Sequence, residues 1–188
     1  VRRQATRQIK TFDRAVSVED HATLALGFPG VARARATWVA GEGLSLVVAT
    51  AAGETPADLA SLRTWLDARR DTSRPMRLSG PAIVDLALDL AIVPAPGVLP
   101  GQAQDAARAA LHGPAGVFSF AAQDLGATFP LSRLYQTLQA ISELQTAVVR
   151  RYALPPSDAV ADLLRPGPGG WLRLQPAALR FVPLPEGL

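Results

Sequence analysis

The residues with the most potential for acid–base or metal chemistry are two aspartates whose spacing argues against a shared reaction. Asp85 and Asp89 lie in AIVDLALDLAIV, where bulky apolar residues alternate with smaller or acidic ones. This period of two predicts a strand over residues 82–93. Side chains four residues apart on a strand lie about 13 Å apart along its axis, too far to share one proton or one small cation. We therefore expect this pair to oppose Arg33 and Arg35 across a sheet, or to contact a neighbouring subunit.

The remaining reactive side chains do not form a recognisable catalytic or metal-binding motif. His21 and His112 are the two histidines, they are far apart in sequence, and the chain has no cysteine. The sequence also lacks the phosphate-binding glycine motifs, the H-E-x-x-H zinc motif, the nucleophile elbow and the calcium loop. No apolar run reaches the roughly 18 residues that a transmembrane helix needs. These residues thus give no argument for an enzyme, and we expect no cofactor, no metal and no membrane partner.

The stretch that positions most of the other features is RAVSVEDHATLALGFPGVARARATWV, residues 14–39. Ser17 is a suitable helix N-cap, and Pro29-Gly30 can end the helix that follows. After this break the period changes from that of a helix to that of a strand. One strand face would carry the alanines and Trp38, which lets a helix pack closely, and the other would carry Arg33 and Arg35. The arginine face must then meet water, acidic groups or a partner subunit.

Further alternating and helical patterns predict an α+β fold made of two small α/β subdomains, either ferredoxin-like or split βαβ. Helices would cover one face of short sheets, and an extended proline-rich C-terminal arm would follow. Seven prolines fall after residue 154, a composition suited to lying along a partner. The predicted segments are a basic lead-in over 1–13, subdomains over 14–95 and 96–154, and an arm with a short hairpin over 155–188. In this arm the candidate partner-contacting residues are Trp171, Leu172, Leu174 and Phe181.

The sequence resembles the baseplate J-like family of contractile phage tails and contractile injection systems. The family pattern RAV(S/T)xEDxxxLAxxxPGVxxAxxxxV matches from Arg14 to Val39, although His21 replaces the usual aromatic residue. A second match, LSRLY at residues 131–135, is similar to a segment near the C-terminal end of family members. Because the first residues already match the middle of a longer pattern, we expect the chain to be the C-terminal part of a larger polypeptide.

This resemblance implies a structural baseplate wedge or ring component that acts by assembly around a tail tube. The implied partners are other wedge subunits and the sheath, tube and spike proteins of the same particle. We accordingly expect assembly in the bacterial cytoplasm, followed by incorporation into a phage tail-like particle as part of a multimeric ring. An alternative is a ferredoxin-like nucleic-acid-binding module that uses the basic residues of segment 1–13. We consider that alternative weaker, because no aromatic residues are interleaved with those basic residues for base stacking.

Overall fold

The computed structural model describes residues 15–184, and these residues fall into two compact units. The division lies between Ala82 and Ile83. The basic lead-in predicted over residues 1–13 lies outside the described residues. Each unit is α+β, as the sequence predicts, and has its own hydrophobic core.

The first unit is a three-stranded mixed sheet with two helices. Its elements are α1 (Val18–Ala25), β1 (Arg33–Val39), β2 (Gly43–Ala49), α2 (Leu59–Asp67) and β3 (Met76–Ser79). The sheet order is β1-β2-β3, in which β1 and β2 are antiparallel and β2 and β3 are parallel. The strand β2 is therefore the central strand and β1 lies at an edge.

Local sequence signals explain how these helices begin. Ser17 caps α1, because its hydroxyl accepts a hydrogen bond from the Asp20 N–H and the Asp20 carboxylate accepts one from the Ser17 N–H. This reciprocal capping box satisfies donors that the first helical turn leaves unpaired. Asp58 is the N-cap of α2, and its carboxylate accepts a hydrogen bond from the Ser61 N–H at 2.8 Å.

The core of the first unit lies between one face of the sheet and the two helices. Its buried residues include Leu24 and Ala25 of α1, Leu46 and Val48 of β2, and Leu62 of α2. Ala34 and Ala36 of β1 pack against this cluster, which confirms the predicted alanine face. Alanines at these positions let α1 lie close to the strand.

Gly43 is required where the β1–β2 turn enters β2. Its φ is +91°, and a Cβ at this position would lie 2.4 Å from the Pro75 carbonyl oxygen. Glycine is the residue that adopts this backbone conformation without steric cost and permits such an approach. The turn closes the antiparallel β1–β2 pair, in which Val39 is the partner of Gly43.

The second unit combines a three-stranded sheet, a two-stranded ladder and two α-helices. Its elements are β4 (Ala82–Pro94), α3 (Pro100–His112), a 3-10 turn (Phe120–Ala122), β5 (Phe129–Pro130), α4 (Leu131–Gln139), β6 (Leu144–Ala153), β7 (Leu163–Leu164) and β8 (Gly170–Phe181). The main sheet has the order β6-β4-β8, and β5 pairs with β7. The long alternating segment is thus the central strand β4, with β6 antiparallel beside it.

The core of the second unit buries the leucine face of β4 beneath α3 and α4. Leu86, Leu88 and Leu90 are fully buried together with Leu111 of α3 and Leu134 of α4. These are the even-numbered positions of β4, so the alternation read from the sequence is confirmed. The aspartates occupy the opposite face of the same strand.

The division between the units falls earlier than the predicted boundary at residue 95. The proline- and glycine-rich connector after β4 suggested that this strand closes the first subdomain. Both strands that pair with β4 lie later in the chain, however, so β4 belongs to the second unit. Backbone pairing with distant strands, rather than the connector, determines which unit holds β4.

The C-terminal segment also differs from the predicted arm with a short hairpin. Residues 170–181 form one strand, β8, which lies at the edge of the main sheet and contributes to its core. Pro176 lies within β8. An edge strand tolerates proline because one row of its backbone groups needs no partner in the sheet.

Candidate interaction surfaces

The charged face of the second sheet, formed by Asp85, Asp89, Arg151, Arg173 and Arg180, is the main cluster of ionised groups in this unit. We call it the Asp–Arg face. The Arg173 guanidinium donates to both Asp85 carboxylate oxygens at 2.7 and 3.0 Å. The Arg180 guanidinium donates to both Asp89 oxygens at 2.9 Å each. Both pairs therefore have the bidentate geometry that gives the strongest arginine–carboxylate contacts.

Neighbouring polar groups extend this network. The Gln175 amide donates to Asp85 at 2.8 Å. Arg151 lies opposite Asp89 in the β4–β6 register and forms an ion pair with Asp158 at 2.8 Å. Its guanidinium also donates to the Ser157 carbonyl. The carboxylates on this face are thus already bound by groups of the same unit.

The ion pairs shift the titration of the groups that form them. Hydrogen bonds from the Arg173 side chain hold the pKa of Asp85 below its usual value. The same contact raises the pKa of Arg173, and the hydrogen bond to Asp89 raises the pKa of Arg180. In the Asp85–Arg173 pair the lowered pKa of the carboxyl group and the raised pKa of the guanidinium stabilise both charged forms. The arrangement is that of cross-strand ion pairs.

The expected opposition of Arg33 and Arg35 to Asp85 and Asp89 across one sheet is wrong. The arginines lie on β1, in the sheet of the first unit, whereas the aspartates lie on β4, in the sheet of the second. The strand alternation placed each residue on the correct type of face. It contained no information about which strands pair, and the aspartates pair with arginines of β8 about 90 residues later in the chain.

Most of the apolar residues predicted to contact partners lie in the core of the second unit. Trp171, Leu172 and Leu174 are buried, and Phe181 is partly buried beneath the Arg108 guanidinium, 4.9 Å from the ring centroid. The Gln123 side chain holds Leu172 in place, because its amide donates to the Leu172 carbonyl at 2.7 Å and accepts from the Leu172 N–H at 3.3 Å. These side chains therefore stabilise the unit that contains them.

A hollow in the first unit combines exposed apolar side chains with a polar rim. It has a volume of about 160 Å³ and is lined by Ala15, Val16, Val18, His21, Trp38, Leu44, Arg70, Asp71 and Arg74. We call it the Trp38 hollow. Val16 is 82% exposed and Trp38 is 55% exposed, whereas Leu44 is buried. Trp38 was predicted to lie on the buried alanine face, and its position at the end of β1 leaves much of its ring uncovered.

Sequence reasoning did not identify this hollow. Val16 and Trp38 are 22 residues apart, and neither belongs to a motif that indicates a surface site. The sequence signal for this hollow is a tryptophan at the end of a strand, shortly before a glycine turn.

Within residues 15–184 no group of three or more histidine, cysteine, aspartate or glutamate side chains is arranged to hold a metal ion. The helices of this described part are all too short or too polar to cross a bilayer.

Comparison with known proteins identifies the first unit most directly. Residues 13–79 match the family model described as Baseplate J-like central domain. No curated protein sequence matches the chain. Among solved structures, one chain of the cryo-EM structure of the anti-feeding prophage (AFP) baseplate, 6-fold symmetrised, matches with a TM-score of 0.73 and 16% sequence identity. The match covers 92% of this chain and 40% of that chain, so this sequence spans less than half the length of the related protein.

At this level of identity the structural match establishes a shared fold, and the family model adds a match in sequence over residues 13–79. The family-model match includes the whole stretch from Arg14 to Val39 on which the predicted resemblance was based. The resemblance of this chain to the baseplate J-like family is therefore confirmed, and residues 13–79 correspond to the Baseplate J-like central domain.

Proposed function

We propose that this chain is a structural component of a baseplate wedge or ring in a contractile tail or contractile injection system. The observation that carries the proposal is the match of residues 13–79 to the Baseplate J-like central domain, together with a fold shared with a chain of the AFP baseplate. The chain acts by binding other baseplate subunits around the tail tube, and no catalytic role is assigned to it.

The surfaces of the described residues support an assembly role. The Trp38 hollow exposes the side chains of Val16 and Trp38, and we take it as one candidate contact. Arg33 and Arg35 lie on the edge strand β1, and we retain this strand as a second candidate contact. The Asp–Arg face is a third, although its ion pairs within the unit limit the charge that it offers a partner.

The proposed partners are other wedge subunits and the sheath, tube and spike proteins of the same particle. Assembly takes place in the bacterial cytoplasm before the chain becomes part of a finished particle. The related structure was symmetrised six-fold, which motivates a ring of six copies in the proposed assembly.

The proposal is tested by removing the segment and observing assembly. Cells that produce the particle would carry an in-frame deletion of residues 15–184, and particles would be examined by negative-stain electron microscopy. We expect tubes and sheaths without complete baseplates, with baseplates restored by the wild-type segment supplied from a plasmid. Complete baseplates in the deletion strain would refute the proposal.

A further inference from the structure

The strand β6 lies at an edge of the main sheet of the second unit and pairs there with β4. The Leu90 carbonyl of β4 accepts a hydrogen bond from the N–H of Val182, which directly follows β8. When a residue of an antiparallel pair directs its backbone groups away from the partner strand, the residue opposite does the same. Val149 is opposite Leu90, and Ala147 is opposite Ile92, two positions along the same regular register. Val149 and Ala147 therefore present their N–H and C=O groups at the outer edge of β6.

Further along the same edge, the chain supplies its own extended backbone to the outer groups of β6. The Tyr152 N–H donates to the Ala159 carbonyl at 3.1 Å, and the Tyr152 carbonyl accepts from the Ala161 N–H at 2.9 Å. Tyr152 thus forms a parallel bridge with Val160. This contact shows that an extended segment can reach the edge of β6 and pair with it.

The stretch before this bridge remains open. At its far end the Leu144 N–H donates to the Ile141 carbonyl at 3.2 Å. Between the two contacts, the outer groups of Ala147 and Val149 have no partner within residues 15–184. Residues 145–149, QTAVV, include neither a charged residue nor a proline, which are two common means of protecting a strand edge. Unpaired groups of this kind are satisfied by an added strand of extended peptide.

A hollow of about 190 Å³ lies beside this open stretch. It is lined by Tyr135, Leu138 and Gln139 of α4 and by residues 144–147 of β6. We call the open stretch and the hollow together the β6 groove. Because a cavity of about 150 Å³ can bind benzene, this hollow can admit one leucine-sized side chain of an added strand. None of the lining residues is charged, so a charged side chain would be buried there without a partner.

The edge strands of a second copy do not match this uncharged lining. In the two three-stranded sheets these strands are β1, β3, β6 and β8, and each of them contains at least one arginine. The lining of the β6 groove has no acidic residue to pair with an arginine. In addition, β8 contains Pro176, which has no N–H to donate across a new ladder. The chemistry of the groove therefore favours a separate, uncharged segment.

We infer that the β6 groove binds a short, extended and uncharged peptide segment of another baseplate protein, which adds as a strand beside residues 146–149. This inference rests on the proposed function, because the segment belongs to a neighbouring subunit of the assembled baseplate. It assigns to this chain a contact made through backbone hydrogen bonds at a sheet edge.

Site-specific photo-cross-linking in assembled particles tests this contact. The photoreactive residue p-benzoylphenylalanine would replace Arg150, which is exposed directly beyond the open stretch, in particle-producing cells. We expect an adduct with one other baseplate protein, mapped by mass spectrometry to a run of uncharged residues. Arg165, also exposed but outside the groove lining, is the matched control position and should not give this adduct. No adduct at position 150, the same adduct at equal yield from position 165, or an adduct with a second copy of this chain or with a charged segment would overturn the inference.

Two substitutions then test the groove itself, with the yield of the adduct from position 150 as the readout. Gln145→Lys adds an ammonium group to the lining and should lower the yield by about tenfold or more, because this charge would be buried without a partner. Gln136→Lys, at an exposed position of α4 outside the lining, is the matched control and should leave the yield unchanged. Ala147→Pro removes an outward N–H and should also lower the yield, since the added strand loses a hydrogen bond. Equal yields in Gln145→Lys and Gln136→Lys would contradict the proposed contact.

A further measurement separates failure of this inference from failure of the proposed function. The amount of wild-type chain in purified particles would be measured by quantitative mass spectrometry. If the chain is present but position 150 gives no adduct, the inference about the β6 groove is wrong. If the wild-type chain is absent from purified particles, it is the proposed function that fails.

Discussion

Replacing Gln123 by methionine should destabilise the second unit more than replacing any other polar side chain in the core of that unit. Gln123 is 4% exposed, and its amide binds both backbone groups of Leu172, which is fully buried. Methionine preserves the length of the side chain but leaves the Leu172 N–H and carbonyl without partners. Each orphaned buried group costs about 1–2 kcal/mol, so we expect a loss of about 2–4 kcal/mol in the free energy of unfolding.

The assay is urea unfolding of the purified chain, with Gln139→Met as the matched control. Gln139 lies at the exposed end of α4, and glutamine and methionine have similar helix propensities, so this control should change stability by less than about 0.5 kcal/mol. Because the described residues form two compact units, amide hydrogen exchange over residues 170–181 would show whether the loss lies in β8. Unchanged stability and unchanged exchange in Gln123→Met would refute the role assigned to this side chain.

Three further changes test other contacts by the same urea assay. Gly43→Ala should cost more than about 2 kcal/mol, because its Cβ would meet a backbone oxygen, whereas Gly41→Ala, with open space around its Cβ, should cost only about 1 kcal/mol; equal losses would contradict this. Tyr152→Phe should cost about 1–2 kcal/mol, since its buried hydroxyl donates to a carbonyl at 2.8 Å, and a neutral result would remove that bond from the account. Asp85→Asn should cost at most about 1 kcal/mol at pH 7, because its ion pair with Arg173 is about 40% exposed. The folded-state pKa of Asp85 lies below the usual 3.8, so this contribution is present above that value and is lost as the pH falls through and below it. Wild type and Asp85→Asn should therefore converge in stability at low pH, and a constant difference between pH 7 and pH 3 would contradict the assignment.

Local patterns were sufficient to predict many of the individual elements. The central strand β4 begins at the predicted residue 82 and extends one residue beyond the predicted end at Val93. Ser17 caps α1 as its residue type and position indicated. These features depend on alternation, capping and turn residues, all of which act over a few positions of sequence.

Pairing between distant strands could not be predicted in this way. The partners of β4 begin 50 and 76 residues beyond its last residue, and the sequence of β4 is compatible with any apolar neighbour. For this reason the sequence patterns predict the boundary between the units too late in the chain. They also predict Arg33 and Arg35, in place of Arg173, as the partners of Asp85. The prolines of the C-terminal segment suggested a separate arm, but an edge strand can include Pro176 without losing its place in the sheet.

The position of the paired charges also bears on how this chain would bind its neighbours. Strand alternation predicts a charged face that is available to bind a partner. Both aspartates of β4, however, already form bidentate contacts with arginines of β8. A partner that approached the Asp–Arg face would have to replace these bonds or leave them unchanged, and in either case it would gain little net Coulomb energy. The Trp38 hollow leaves apolar area of Val16 and Trp38 exposed to water. Covering this area gains about 25 cal/mol for each Å² removed from water. We therefore propose that an interface of this unit would gain more from burial of apolar area at the hollow than a partner would gain from charge at the Asp–Arg face.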